Sequence, residues 1–207
     1  MQTYLSSSIQ KYLNDLASNL PAPGGGSAAA LVSTVGISCL LMVANFTVNK
    51  KGYENVQEEI KKIIQELTQI KEKLQQYIDK DVEAYIEVSK AYKLPKETPL
   101  DIEIRNKQIQ LSLEYAANVA YEIMELSHKG ITYSEKLLKI GNKNLITDVL
   151  CGTLFLLSGV QAAKYNVAIN LINIKNTAFV EEKRKQIRKI LTDAKIITKK
   201  VLQKIKL

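Results

Sequence analysis

Between Asp15 and Lys50 the chain carries no charged side chain, and this stretch opens on LPAPGGGSAAALV, residues 20–32. Pro21 and Pro23 interrupt whatever precedes them, because neither can donate a backbone hydrogen bond. Gly24, Gly25 and Gly26 can take left-handed backbone angles at no steric cost, and Ser27 suits the N-cap of a helix over residues 27–48. A helix without charge on any side has to be surrounded. Its apolar part, residues 28–44, is 17 residues long and contains Ser33, Thr34, Gly36 and Ser38. That falls short of the ~20 apolar residues of a membrane span. Residues 149–163 are uncharged too, and shorter still. Small residues at three- and four-residue spacing suit close helix packing, so both stretches are read as central helices of a bundle, with no membrane partner.

The remaining chain is amphipathic and helical. Residues 6–18 place Ile9, Leu13 and Leu16 on one side. A break at KKGY leads into the longest periodic segment, residues 53–91, which Pro95 and Pro99 end. Further helices are expected over residues 100–127, 134–140, 146–174 and 178–205. The last carries Ile187, Ile190, Leu191, Ala194, Ile197, Val201, Leu202 and Ile205 as its apolar stripe. No run alternates apolar and polar residues as a strand would, and no linker divides the chain. The expected fold is all-α: a single-domain helical bundle over residues 1–207 with two central apolar helices. Part of their surface would be buried against a second copy, in a homodimer.

Composition narrows the function. The 207 residues carry a formal net charge of +8, from 29 Lys and Arg against 21 Asp and Glu. Residues 181–207 hold ten of the basic side chains and three of the acidic ones, so one terminal helix supplies +7 and the rest of the chain +1. No aromatic platform, glycine–arginine run or zinc pattern accompanies that helix, and no nucleic-acid partner is expected. With one histidine, His128, no histidine-built metal site is expected either. His128 itself reads as the cap of a helix end. Cys39 and Cys151 lie in apolar stretches and read as small core residues of a reducing compartment. The opening MQTYLSSSIQKYLNDL has no basic start followed by an apolar run, and the expected location is cytoplasmic.

One acid falls where the pattern calls for an apolar residue. Apart from its adjacent pairs, the stripe of the longest segment steps in threes and fours through Ile60, Ile63, Ile64, Leu67, Ile70, Leu74, Tyr77 and Ile78, then position 81, Tyr85 and Val88. Position 81 is Asp81. Asp79 and Glu83 are rotated ~160–200° from it at 3.6 residues per turn and fall on the wet side. Burying a carboxylate costs several kcal/mol or forces its pKa upward. Asp81 is therefore a structural acid bonded to a neighbouring helix, a position where the stripe drifts half a step into solvent, or a desolvated carboxyl group that exchanges protons near neutral pH. Asp148 follows Thr147 at the mouth of an uncharged helix, where an acid usually stabilises the N-terminus. Asn166, Asn170 and Asn173 share one face at i, i+4, i+7, and their amides suit a polar heterocycle or another helix. Lys96, in the proline-bounded loop, reads as a solvated charge. The glycine loop exposes N–H donors at the positive end of a helix, where a carboxylate or phosphate would sit, or it simply lets helices pack closely.

Taken in order along nearly the whole chain, APGGGSAAALV, MVANFTVNKKGYENV, IDKDVEAYIEVSKAYKLPKET, GNKNLITD and YNVAINL resemble the cyclodeaminase/cyclohydrolase family of folate enzymes. In that family the aspartate of a D-A-x-A-F-like stretch transfers the proton, and it matches Asp81 in DVEAY. The family's PGGGS loop lies at the folate site and matches Pro23, Gly24, Gly25, Gly26 and Ser27. Lys96, Asp148, Asn166 and Asn170 fall in the shared segments as further expected substrate contacts. Val82 and Tyr85 stand where the family usually has Ala and Phe, Lys143 where Pro is common, and Ala168 where many members carry Arg. The last departure touches substrate binding.

The resemblance implies formiminotetrahydrofolate cyclodeamination, which forms 5,10-methenyltetrahydrofolate and ammonia by general acid–base catalysis, with neither metal nor redox cofactor. Its alternative is methenyltetrahydrofolate cyclohydrolase chemistry, interconverting the methenyl and 10-formyl forms at the same site. The substrate would be a tetrahydrofolate derivative, with or without a polyglutamate tail. The basic terminal helix would attract such a tail or be a solvated face. A non-catalytic helical binding protein, whose basic tail docks an acidic partner, is the reading of a different class.

Overall fold

The computed structural model describes residues 3–204, so Ile205 of the expected final stripe lies outside the described residues. Among the described residues all regular structure is helical: α1 Ile9–Leu16, α2 Gly25–Asn45, α3 Gln57–Tyr92, α4 Pro99–Ile140, α5 Ile146–Leu171 and α6 Thr177–Leu202. Local chemistry sets the ends. The Ser8 hydroxyl accepts the Lys11 N–H at the start of α1. Thr98 and Asp101 exchange side-chain and backbone hydrogen bonds as a capping box, with Pro99 in the first turn of α4. Asn176 caps α6 by accepting the Phe179 N–H. Between α4 and α5, Asn142 donates its backbone N–H to Thr47 Oγ1 and its amide to the Phe46 carbonyl, fastening the far end of α2.

α2 and α5 run antiparallel through the centre, and the α2–α5 and α4–α5 contacts are the most extensive in the molecule. Glycines let the two apolar helices approach to backbone contact. A Cβ at Gly152 would lie 2.8 Å from the Gly36 carbonyl oxygen, and one at Gly36 would lie 2.9 Å from the Gly152 carbonyl oxygen. α3 and α4 form a long antiparallel hairpin against this pair, and α6 covers α4 and α5. The buried face of α3 follows the expected stripe from Ile60 to Ile78 with Ile64 half-buried, and α6 buries Ile187, Ile190, Ala194, Ile197 and Val201 with Leu191 and Leu202 half-buried.

Several expectations are corrected. The helices foreseen over residues 100–127 and 134–140 are one, and Gly130 in the expected gap is a packing residue within it. A Cβ there would lie 2.5 Å from Ile37 Cδ1 and 3.0 Å from Leu156 Cδ1, and that packing outweighs the ~1 kcal/mol helix penalty of glycine. His128 is consequently in mid-helix and caps nothing; its Nε2 meets Asp193 Oδ2 of α6 at 2.8 Å. α1 is shorter than foreseen and turned the other way: Ile9 and Leu13 are exposed, and its buried residue is Tyr12. α5 ends at Leu171, which leaves Asn173 outside the helix with its carbonyl bound by the Gln110 amide. Cys39 is half-buried and Cys151 exposed, so neither is the core residue expected. Gly152→Ala should force α2 and α5 apart and cost ~1–3 kcal/mol, as overpacking does. A urea titration followed by helicity will read it as a lowered midpoint.

Candidate active site

The site is built where α2 begins. Ala22 and Pro23 are joined by a cis peptide, and the helix starts at Gly25 with Gly24 as its N-cap residue. None of Gly24, Gly25 or Gly26 takes a left-handed angle; Gly52 is where the described chain has a glycine with positive φ. The glycines serve space instead of backbone angle. A Cβ at Gly26 would overlap the Asp81 carboxylate outright. Nor is Ser27 the N-cap. It lies inside the first turn, fully buried, and its hydroxyl donates to the Ile78 carbonyl at 2.8 Å while accepting from the Tyr12 hydroxyl at 3.1 Å. Its backbone N–H, one of the orphan donors at a helix start, points at Asp81 Oδ2 at 2.8 Å.

Asp81 therefore sits where the register placed it, at the junction of α2 and α3. Burial raises its carboxyl pKa, and the Ser27 N–H pulls it partly back. Tyr12 is held protonated by its own burial and by the nearby Asp81 charge, which keeps its hydroxyl a donor to Ser27. Asp79 is not merely wet. It accepts the backbone N–H groups of Tyr4 and Leu5 and so fixes the N-terminal turn against α3, while the Tyr4 ring stands edge-on to Tyr12 at 5.4 Å. Tyr12 and Asp79 were not foreseen as parts of this assembly. Tyr12 lies off the Ile9–Leu13–Leu16 side of α1, and its signal is a lone aromatic 15 residues before the serine it binds.

A cleft of about 290 Å³ opens beside the carboxylate, lined by Pro21 and Ala22, the three glycines, and Asp81, Val82, Tyr85 and Val88 of α3. Ala116 of α4 forms its floor, and Asn166, Ile169 and Asn170 of α5 its far wall. Tyr85, expected in the core, is 47% exposed because this end of the α3 stripe faces the open cleft. Of the expected site residues, Gly24, Gly25, Gly26, Asp81, Asn166 and Asn170 meet here, with Pro23 and Ser27 directly behind them. Lys96 and Asp148 do not line it. Lys96 lies beyond the end of α3, eleven helical residues or ~16 Å past Asp81 by Tyr92. Asp148 lies in the first turn of α5, eighteen residues or ~27 Å of helix from Asn166.

An uncharged helix start that delivers one N–H to a desolvated carboxylate, beside a cleft with no cation among its described lining residues, has the chemistry to serve as a general acid or base toward a neutral or cationic reacting centre. The formiminotransferase-cyclodeaminase family pattern matches residues 8–189, and the chain belongs to that family of folate one-carbon enzymes. It is 32% identical over 198 residues to a methenyltetrahydrofolate cyclohydrolase of Methylorubrum extorquens, covering 96% of this chain and 95% of that one. It is 28% identical over 194 residues to the formimidoyltransferase-cyclodeaminase of Rattus norvegicus, of whose length it spans 36% and which covers 94% of this chain. The fold matches the crystal structure of a formiminotetrahydrofolate cyclodeaminase from Thermotoga maritima with a TM-score of 0.79 and 30% identity, over 95% of this chain and 98% of that one.

The raised Asp81 pKa has a stability consequence with a definite sign. The unfolded chain gives up this proton first, so the folded state is penalised as pH climbs from the ordinary carboxyl range through the raised value, and fully above it. Asp81→Asn keeps an acceptor for the Ser27 N–H and removes the buried charge. The variant should melt above the parent protein at pH 7, and the gap should close as pH falls into the ordinary carboxyl range. Paired thermal scans across that range check both.

Proposed function

We propose that this protein is a formiminotetrahydrofolate cyclodeaminase in which Asp81 carries the proton between the two nitrogens of the reaction. The observation that supports it is the Asp81 carboxyl group itself: half out of water, bonded to a single N–H, and lining a cleft in the first turn of α2. The substrate's 5-formimino group, in its cationic form, is attacked at carbon by N10. The new C–N10 bond gives a tetrahedral carbon between two ring-side nitrogens and the amino group, and N10 loses its proton to the Asp81 carboxylate. Asp81 then returns that proton to the amino group, the C–NH₃ bond breaks, and ammonia leaves behind the cationic 5,10-methenyl bridge. Proton delivery of this kind contributes ~10²–10⁴-fold, and holding N10 against the carbon supplies much of the rest. The cleft matches the lower end of ligand-site volumes, enough for the bicyclic head of a folate with the remainder extending outward. α6, with most of the excess positive charge, lines no part of it.

A second reading is supported by the similarity to the Methylorubrum cyclohydrolase, 32% identity over 198 residues against 28% over 194 residues for the rat protein. There water adds to the methenyl carbon, giving its proton to Asp81. Asp81 passes that proton to N5 as the C–N5 bond breaks, and the hydroxyl proton leaves to solvent as the 10-formyl group forms. Following the methenyl absorbance band with each substrate separates ammonia release from hydration. For either reaction Asp81→Asn should lower kcat by ~10²–10⁴-fold with helicity unchanged. Retention of most of the parent rate would sink the assignment of Asp81.

The assembly is proposed to be a homodimer through the α2–α5 face. Only about a third of the apolar window of α5 is buried within one chain, against 61% for α2. Val35 and Met42 of α2 and Phe46 at its C-cap stand exposed, as do Leu154 and Phe155 of α5. Scattered apolar residues need no explanation, but a continuous band over two helices does. Sedimentation should give twice the chain mass, and Leu154→Glu should return the single chain.

A further inference from the structure

The two asparagines of the cleft are not free amides. Asn166 Nδ2 donates to the Ala162 carbonyl at 3.0 Å, and Asn170 Nδ2 donates to the Asn166 carbonyl at 2.8 Å. Only the NH₂ end of an amide can donate to a carbonyl, so these bonds fix which way each side chain faces. Both Oδ1 atoms are left as acceptors with no hydrogen bond among the described residues, on the wall of a cleft whose other polar side chains are Asp81 and Tyr85. Asn166 lies across from Gly25, where a Cβ would be 3.7 Å from its Oδ1, while Asp81 lies across from Gly26. Adjacent residues of one helical turn thus separate the acid from the amides. Ile169 and Tyr85 offer apolar walls between which a flat ring can lie.

We infer that Asn166 and Asn170 read the donor edge of the pterin ring, accepting from its 2-amino group and N3–H, and so set the end of the ring opposite the N5–N10 bridge. This rests on the folate reading above. A tetrahydropterin presents two donors side by side on that edge, and a pair of oriented amide oxygens, i and i+4 on one helix face, complements them without bringing charge. A carboxylate at this place would put a second anion in the cleft with Asp81 and oppose its ionisation. Neutral acceptors hold the ring and leave the proton affinity of Asp81 to its own surroundings.

The test is a cycle of two ligands and three proteins. Binding of 5-formyltetrahydrofolate and of its 2-desamino counterpart is measured by calorimetry for the parent chain, Asn166→Ala and Asn170→Ala, each checked for an unchanged melting profile. The parent should bind the desamino ligand roughly 3–10-fold more weakly, the worth of a neutral hydrogen bond. In each variant that preference should shrink, and in the pair of substitutions combined it should vanish. Equal binding of both ligands by the parent, or an undiminished preference in the variants, would overturn the inference. If neither ligand bound the parent at all, the folate reading would fail and this inference with it, an outcome distinct from binding without discrimination.

Discussion

The hydrogen bond from the Ser27 N–H to Asp81 Oδ2 joins two helices at the point where each has something unsatisfied. α2 begins with backbone donors that no earlier turn can accept, and α3 buries a carboxylate that no cation neutralises. Each defect answers the other. The contact needs Gly26 without a side chain, Ser27 turned so that its hydroxyl reaches the Ile78 carbonyl, and Tyr12 to occupy the remaining hydroxyl lone pair. A carboxylate at a helix start would ordinarily be stabilised, by ~0.3–1 kcal/mol at the surface and up to ~2 when partly buried. Desolvation of an anion runs to several kcal/mol, so burial wins and the proton is held more tightly than in water. That imbalance gives the site a carboxyl group able both to accept and to return a proton.

The same first turn is held in place by packing far below it. α2 can lie in the middle of the bundle only because Gly36 and Gly152 let its backbone touch α5, and because Gly130 lets α4 close over Ile37 and Leu156. Hydroxyls take care of the rest. Ser33 and Thr34 bond back to the carbonyls of Ala29 and Ala30, and Ser127 reaches Ser33 across the α4–α2 contact. These hydroxyls of the α2–α4 contact are thereby paired, as burial demands, whereas the buried Ser134 and Thr198 hydroxyls have no partner among the described residues. α5 is apolar on both sides for a different reason on each: Thr153, Leu156, Val160 and Ala163 face the bundle, whereas Leu154, Phe155 and Ile169 face outward. The outward face runs directly into the cleft at Ile169 and Asn170.

What could be read in advance was whatever repeats. The absence of charge over residues 16–49 and the three-four spacing of α3 gave the central helix and singled out Asp81, because both are patterns along one helix. What could not be read depends on a partner distant in the chain. The break expected between residues 127 and 134 closes into one helix because Ile37 and Leu156 need the space at Gly130. Ser27 resembles an N-cap until Ile78, 51 residues away, is seen to take its hydroxyl. The three glycines suggested unusual backbone angles, and the structure uses the smallness of one of them instead. Asp148 and Asn173 show the converse: each matched a local pattern, and each lies away from the cleft because α5 carries one too far and ends before the other.

On the proposed reading one carboxyl group would serve ammonia release or hydration, because both reactions pass through a tetrahedral carbon flanked by two nitrogens, and both require one proton to leave a nucleophile and one to reach a departing nitrogen. A strongly acidic Asp81 would be a poor donor to that nitrogen, and a permanently protonated one could not relieve the nucleophile. Burial pushes toward the second extreme and the Ser27 N–H toward the first. Adding a cation to the cleft would tip the balance to the acidic side by favouring the carboxylate, and adding an anion would tip it the other way. On the proposed reading, the uncharged α2, the neutral amides of α5 and the apolar side chains of α3 around Asp81 all serve that balance. A neutral cleft leaves one hydrogen bond and the depth of burial to set the proton affinity.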